Sequence, residues 1–215
     1  LNQLAITLVQ IVLNNSLIHY GSQSIYGSEI PLACSGIVMK TNAILISVII
    51  GISQGAQPII SFNYGAKNYD RVRGIYKLAV SSSLVISVLG FIAFQFFPKQ
   101  VISLFGTGDQ LYFEFAVKFM RIFLFMVLIN GVQIISSNFF AAIGKAIKGV
   151  FLSLSRQVLF LIPLILVLPF FYGIDGILFA APVADALAFC VTIILIGKEL
   201  THMKTLSTQK TLPLS

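Results

Sequence analysis

The sequence predicts an all-α integral membrane protein built as a six-helix transmembrane bundle. Of its 215 residues, 57% are hydrophobic and only 10% are charged, whereas soluble domains are about 25% charged. The mean hydropathy is +0.96. The charged residues separate apolar stretches that are long enough for helices crossing a bilayer, which takes about 20 residues. A soluble fold with so few charges could not cover its own surface.

Six stretches are predicted as membrane spans. The first is the most polar of them, the next four each contain a long segment without Asp, Glu, Lys or Arg, and the sixth is interrupted once, by Asp185. Residues 201–215 are polar and predict a flexible cytoplasmic tail. In chain order, the predicted spans lie near 1–18, 33–60, 77–97, 113–142, 151–172 and 175–197.

Glycine and proline mark the connections between the spans, for example at Gly27, Pro98 and Gly173. Inside the last two spans, Pro163 and Pro182 each remove a backbone hydrogen bond and therefore predict kinks.

The basic residues predict how the bundle is oriented. An even number of spans separates the connection after span two, the connection after span four and the carboxy-terminal tail, so all three lie on one side. Because basic residues favour the cytoplasm, this side and both ends of the chain are predicted to be cytoplasmic, in the plasma membrane. It carries ten of the chain's 14 basic residues: Lys67, Arg71, Arg73, Lys77, Lys145, Lys148, Arg156, Lys198, Lys204 and Lys210.

Amide and hydroxyl side chains form one stripe on the first span. Gln3, Thr7, Gln10 and Asn14 follow one another at steps of four, three and four residues, which places them within about 60° on a helix. The stripe predicts the wall of a water-filled or substrate-filled cavity. Hydrogen bonding to a neighbouring helix is the alternative.

Span four carries a similar set, because Asn130, Gln133 and Ser137 share one helical face. Cavity lining and interhelical hydrogen bonding again explain the pattern equally well.

Asp185 lies near the middle of span six. A carboxylate at this depth must be protonated, paired or hydrated. We interpret it as an ion-coupling candidate. The alternative is a structural ion pair with Lys40, Arg156 or a polar neighbour on another helix.

The sequence shows no motif of an enzyme, a metal site or a disulfide framework. No nucleotide-binding glycine loop or catalytic triad is recognisable, which argues against an enzyme. Cys34 and Cys190 stand far apart, without the spacing of a metal site or a disulfide framework. The net charge of +7 follows from membrane topology and does not indicate nucleic acid. No cofactor is expected beyond a coupling ion.

Several motifs resemble the MATE (multidrug and toxic compound extrusion) transporters. Residues 51–58, GISQGAQP, followed by residues 63–67, NYGAK, are similar to the sequence that joins helices eight and nine of that family. Residues 141–145 resemble the end of helix ten, and residues 154–157 and 182–185 resemble parts of helices eleven and twelve. The motif residues singled out are Gln54, Gln57, Pro58, Asn63, Gly65 and Arg156.

The resemblance implies one lobe of a twelve-helix transporter, helices seven to twelve, which exports amphipathic cationic drugs in exchange for protons or sodium. Its implied partners are membrane lipid, such drugs and an amino-terminal six-helix half. The sodium-dependent members have acidic residues on helices seven and ten, whereas residues 1–18 and 122–144 contain none. Asp185 is therefore a candidate from its position and not from the family.

Two alternatives remain open. A lipid-linked oligosaccharide flippase of related architecture should have a more cationic cavity, and only Lys40 and Arg156 are candidates for one. A non-transporting membrane subunit is the other alternative.

Overall fold

The computed structural model describes the backbone of residues 2–211 and the side chains of residues 3–208. This part of the chain is helical, and a π-helical segment at Ser155–Leu161 separates two of the helices. In chain order, the helices are α1 (Asn2–Ser22), α2 (Glu29–Gly65), α3 (Tyr69–Phe96), α4 (Pro98–Ser103), α5 (Gln110–Phe123), α6 (Val127–Ala142), α7 (Ala146–Leu154), α8 (Ile162–Val167), α9 (Pro169–Tyr172) and α10 (Ile174–Thr211).

The described residues contain five helices of membrane-spanning length and one bent helix pair. In the part of the chain that the structure describes, α1, α2, α3, the run Ala146–Tyr172 and α10 are each long and apolar enough to span. Helices α5 and α6 are bent by 49° relative to each other, and the total is six if this pair counts as one span. The predicted fold class is therefore confirmed.

Two helices extend well beyond a bilayer. Helix α2 has 37 residues and α10 has 38, so at 1.5 Å per residue each is roughly 55 Å long, against about 30 Å of hydrocarbon. The flexible tail predicted from residue 201 is wrong for residues 201–211, because α10 continues to Thr211. Met203 is buried against the bundle, and Ser207 Oγ donates a hydrogen bond to Asp70. Residues 212–215 of the predicted tail lie outside the described residues.

The interior consists of two apolar clusters. The first surrounds Phe115 and Phe119 of α5, against Leu17 of α1 and small residues of α10. The second surrounds Phe139 of α6, against Ile49 of α2 and other helices of the bundle. Helices α6 and α10 each contribute residues to both clusters. Buried polar side chains on these two helices therefore lie inside the lobe.

The fifth pass changes its helical geometry next to Pro163. This residue lies in the first turn of α8, immediately after the π-helical segment. A proline lacks the N–H that would bond one turn back, and its ring clashes there. The predicted kink thus takes the form of a wider turn. Pro182, in contrast, lies inside a continuous α10.

Candidate functional site

The predicted stripe on α1 lies on an open face of the lobe. Gln3, Thr7 and Gln10 are exposed, and Asn14 is half-buried. Asn14 Oδ1 accepts a hydrogen bond of 3.5 Å from Ser35 Oγ of α2. The stripe therefore contacts α2 at one end and is open along the rest of its length.

Helix α2 presents a second open face, which consists of small and polar residues. Its members are exposed and recur at steps of three and four residues, as one helical face requires. Beside them on α2 lies an apolar strip that includes Ile44, Val48 and Ile59. We call the exposed stripe of α1 and this face of α2 the candidate substrate face. Its members on α2 are Gly36, Lys40, Ala43, Ser47, Gly51, Gln54 and Pro58.

The first motif divides between this face and the end of α2. Gln54 and Pro58 are exposed, and Gln57 is half-buried. Asn63 is buried, and its Nδ2 donates to the carbonyl of Ile59 at 2.8 Å. Gly65 is the last residue of the helix.

The second half of the motif ends α2 with a Schellman turn. The N–H of Asn68 donates to the carbonyl of Asn63 at 2.8 Å, and the N–H of Lys67 donates to the carbonyl of Tyr64 at 3.0 Å. Lys67 has a φ of 57°, in the left-handed region.

The motif at 141–145 ends α6 in the same way, with Gly144 at a φ of 78°. The N–H of Lys145 donates to the carbonyl of Phe140 at 2.8 Å. Both motifs therefore specify helix ends on the predicted cytoplasmic side, in addition to any role in transport.

The polar residues of α6 lie between helices and not on an open face. Gln133 Nε2 donates to the carbonyl of Leu152 at 3.4 Å, and Ser137 Oγ donates to the carbonyl of Gly149 at 2.7 Å. Asn130 is buried, and its Oδ1 meets no donor among the described residues. The prediction that these three side chains line a cavity is not met in this conformation. For Gln133 and Ser137 the alternative, bonding between helices, describes the structure, because this face of α6 packs against α7.

Asp185 is paired inside the bundle. Its side chain is 3% exposed, and its Oδ1 accepts a hydrogen bond from Arg156 Nε at 2.5 Å. Arg156 belongs to the π-helical segment, so the pair ties the irregular fifth pass to α10. Lys40 is exposed on α2, and Arg156 is the partner.

Sequence reasoning missed a second ion cluster, at the end of the bundle. Glu199 is 4% exposed, and its carboxylate accepts hydrogen bonds from Lys145 and, at 3.3 Å, from Lys148. These contacts join the α6–α7 connection to α10. The signal in the sequence was Glu199 itself, an acidic residue next to Lys198 on the predicted cytoplasmic side, to which Lys145 and Lys148 were also assigned. Within the described residues, no cluster of His, Cys, Asp and Glu could hold a metal ion.

A family comparison identifies this architecture. The model of the MatE family matches residues 1–167, which is most of the chain. The chain belongs to the MatE family. The resemblance drawn from the motifs is confirmed.

Curated relatives of this MatE chain are transporters by name. The multidrug export protein MepA of Staphylococcus aureus (strain N315) is 25% identical over 186 residues, covering 86% of this chain and 39% of MepA. The FAD transporter of Shewanella oneidensis is 26% identical over 156 residues, covering 73% of this chain and 34% of that protein. The chain thus spans about two-fifths or less of the length of these relatives.

Solved MATE structures share the fold. The outward-facing structure of a multidrug resistance MATE family transporter of the MOP superfamily matches with a TM-score of 0.84 at 17% identity, covering 95% of this chain and 45% of that one. The likeness concerns the fold, because function depends on particular side chains. It agrees with the interpretation of the six helices as one lobe of a larger transporter.

Proposed function

We propose that the full-length protein containing this chain exports amphipathic cationic compounds across the plasma membrane, in exchange for protons or sodium. It would act as a transporter and not as an enzyme, with both ends of this segment in the cytoplasm. The observation that carries the proposal is the candidate substrate face, which consists of polar and small residues, has Lys40 as its one charged member, and is open along α1 and α2. A second six-helix half would close this face into a cavity.

Family membership and the names of the relatives support this function. MepA is named as a multidrug exporter. Amide, hydroxyl and glycine groups on the face can solvate a drug without fixing one geometry. The adjoining apolar strip of α2 suits a ligand that is partly apolar. In such a transporter, ion and substrate binding would favour different arrangements of the two halves.

The coupling ion is the second part of the proposal. Asp185 is a candidate because a buried carboxylate changes its interactions strongly when it binds a proton or a cation. In the observed arrangement Arg156 neutralises it. Coupling at Asp185 would therefore require that this pair opens during the transport cycle.

The proposal predicts that Gln54→Leu lowers export of ethidium several-fold while the amount of folded protein stays at the native level. Gln54 is exposed on the face, so its replacement should change stability by no more than about 0.5 kcal/mol. Efflux would be followed by fluorescence in cells that express the full-length protein.

The matched control is Gln100→Leu, an exposed amide on α4, which should leave efflux unchanged. If the Gln54 variant exports ethidium at the native rate, this face is not the substrate path. If the native protein exports neither ethidium nor another cationic drug, the multidrug proposal fails.

The flippase alternative makes a different prediction at Lys40. An anionic, phosphate-bearing substrate needs cations along its path. Arg156 is already paired, so Lys40 is the remaining candidate. We expect Lys40→Gln to maintain or increase export of a cationic dye, because it removes a repulsive charge from the face.

A loss of dye export in Lys40→Gln, with restoration in Lys40→Arg, would argue against this repulsion. Transport of an anionic substrate by the native protein, abolished in Lys40→Gln, would favour the flippase alternative. Protein levels in the membrane would be matched for each comparison.

A further inference from the structure

A groove on the exposed surface of the lobe lies between the α5–α6 break and α10. It has a volume of about 630 Å³, within the range of about 300–1,000 Å³ that is usual for small-molecule sites. Its walls are almost wholly apolar and include Phe125, Met126, Phe179, Val183 and Leu187. Four of these five side chains are 41–50% exposed, so the groove opens away from the bundle.

The shape of the groove comes from the backbone. Helices α5 and α6 meet at an angle of 49°, so this pair turns away from a straight path beside α10. Pro182 of α10 and Ile122 of α5 also line the groove. A groove set by a helix break persists when individual side chains change rotamer.

Arg121 lies at the groove and is held in place by reciprocal hydrogen bonds. Its Nε donates to the carbonyl of Gln95 at 3.1 Å, and Gln95 Nε2 donates to the carbonyl of Arg121 at 2.8 Å. Within the described residues, no acceptor meets the two terminal amino groups of the guanidinium. The Arg121 side chain is exposed, so these groups are available to a ligand.

Arg121 lies near helix ends, where a lipid headgroup is expected to meet a membrane-spanning bundle. Its partner Gln95 lies in the last turn of α3. One turn from Arg121, Lys118 Nζ contacts Asp175 at 2.6 Å, at the start of α10. Since Asp175 balances Lys118, the charge left beside the groove is the positive charge of Arg121.

We propose that this groove binds an anionic phospholipid, with the phosphate at Arg121 and an acyl chain along the apolar walls. A guanidinium can bind a phosphate through two parallel N–H groups. The acyl chain gains little from burial, because the surrounding lipid is as apolar as the groove. Affinity and selectivity therefore come from Arg121 and from the shape of the walls. A zwitterionic lipid such as phosphatidylcholine binds less well, because the guanidinium repels the positively charged ammonium group of its headgroup.

Native mass spectrometry of the full-length protein tests the proposal. The protein is equilibrated in detergent with equal amounts of phosphatidylglycerol and phosphatidylcholine that have identical acyl chains. We expect the native protein to retain phosphatidylglycerol with a several-fold preference. Arg121→Gln should abolish this preference, and Arg121→Lys should restore part of it. Val183→Trp should displace the lipid by filling the groove while Arg121 remains in place.

The matched control is Lys99→Gln, which removes an exposed basic residue of α4 outside the groove. This variant should retain phosphatidylglycerol like the native protein. If it releases as much lipid as Arg121→Gln, general surface charge accounts for binding and the proposal is overturned. It is also overturned if both phospholipids are retained equally by the native protein, or if Val183→Trp retains phosphatidylglycerol unchanged. The readout is independent of transport.

Discussion

Replacing Asp185 with alanine is expected to destabilise the folded protein by about 3–5 kcal/mol, the usual result of breaking a buried ion pair from one side. The carboxylate is 3% exposed and contacts Arg156 Nε at 2.5 Å. Without it, the guanidinium of Arg156, whose side chain is only 23% exposed, has no counter-charge. The change would be measured as a lower temperature of unfolding in detergent and as less folded protein in the membrane.

A second variant separates stability from coupling. In Asp185→Leu with Arg156→Met, both charges are replaced by apolar groups, and such replacements are often neutral or stabilising. We expect this double variant to recover most of the lost stability. If it also exports drug, the pair is structural and the coupling ion binds elsewhere. If it is folded but inactive, the pair belongs to the transport cycle.

Asp175→Asn is the matched control, because it also removes an aspartate from a pair with a basic residue. Asp175 and Lys118 are each 37% exposed, and exposed pairs contribute at most about 1 kcal/mol. An Asp185→Ala protein that unfolds at the native temperature would show that the buried pair does not stabilise this fold.

The second large effect is expected at Gly149, where α7 packs closely against the backbone of α6. A Cβ on Gly149 would lie 2.5 Å from the carbonyl oxygen of Ser137. This oxygen belongs to the backbone, so α6 and α7 must separate to make room. We expect Gly149→Ala to destabilise the protein by about 1–3 kcal/mol. Export should also fall, because α7 leads directly into the segment that carries Arg156. Thermal unfolding and ethidium efflux measure the two effects.

Gly197→Ala provides the comparison. Gly197 lies in α10, and a Cβ added there would meet no atom within 4 Å. Alanine stabilises an open helical position by roughly 0.5–1 kcal/mol relative to glycine, so this variant should be at least as stable as the native protein. Equal stability of the two variants would show that the α6–α7 contact is looser than the structure indicates.

Much of the fold was predictable, because hydropathy and charge act locally along each span. The alternation of apolar stretches with basic connections predicted six spans, of which five correspond to membrane-length helices and one to the bent α5–α6 pair. The stripe at Gln3, Thr7 and Gln10 was also readable, since a single helix sets its angular spread. The motifs at 51–67 and 141–145 led to the correct family because they combine a polar helix face with specific helix ends.

The tertiary structure alone decided what each polar group contacts. Gln133 and Ser137 share a polar face whether it borders a cavity or α7, and only packing showed that it borders α7. The partner of Asp185 could have been Lys40 or Arg156. The choice depends on which helix lies beside α10, and residues 29 positions apart meet there. The sequence alone determined the membrane environment, the helical fold class and the family, because each is encoded within single segments. Partners, the α5–α6 break and the length of α10 depended on contacts between segments, which no local pattern contains.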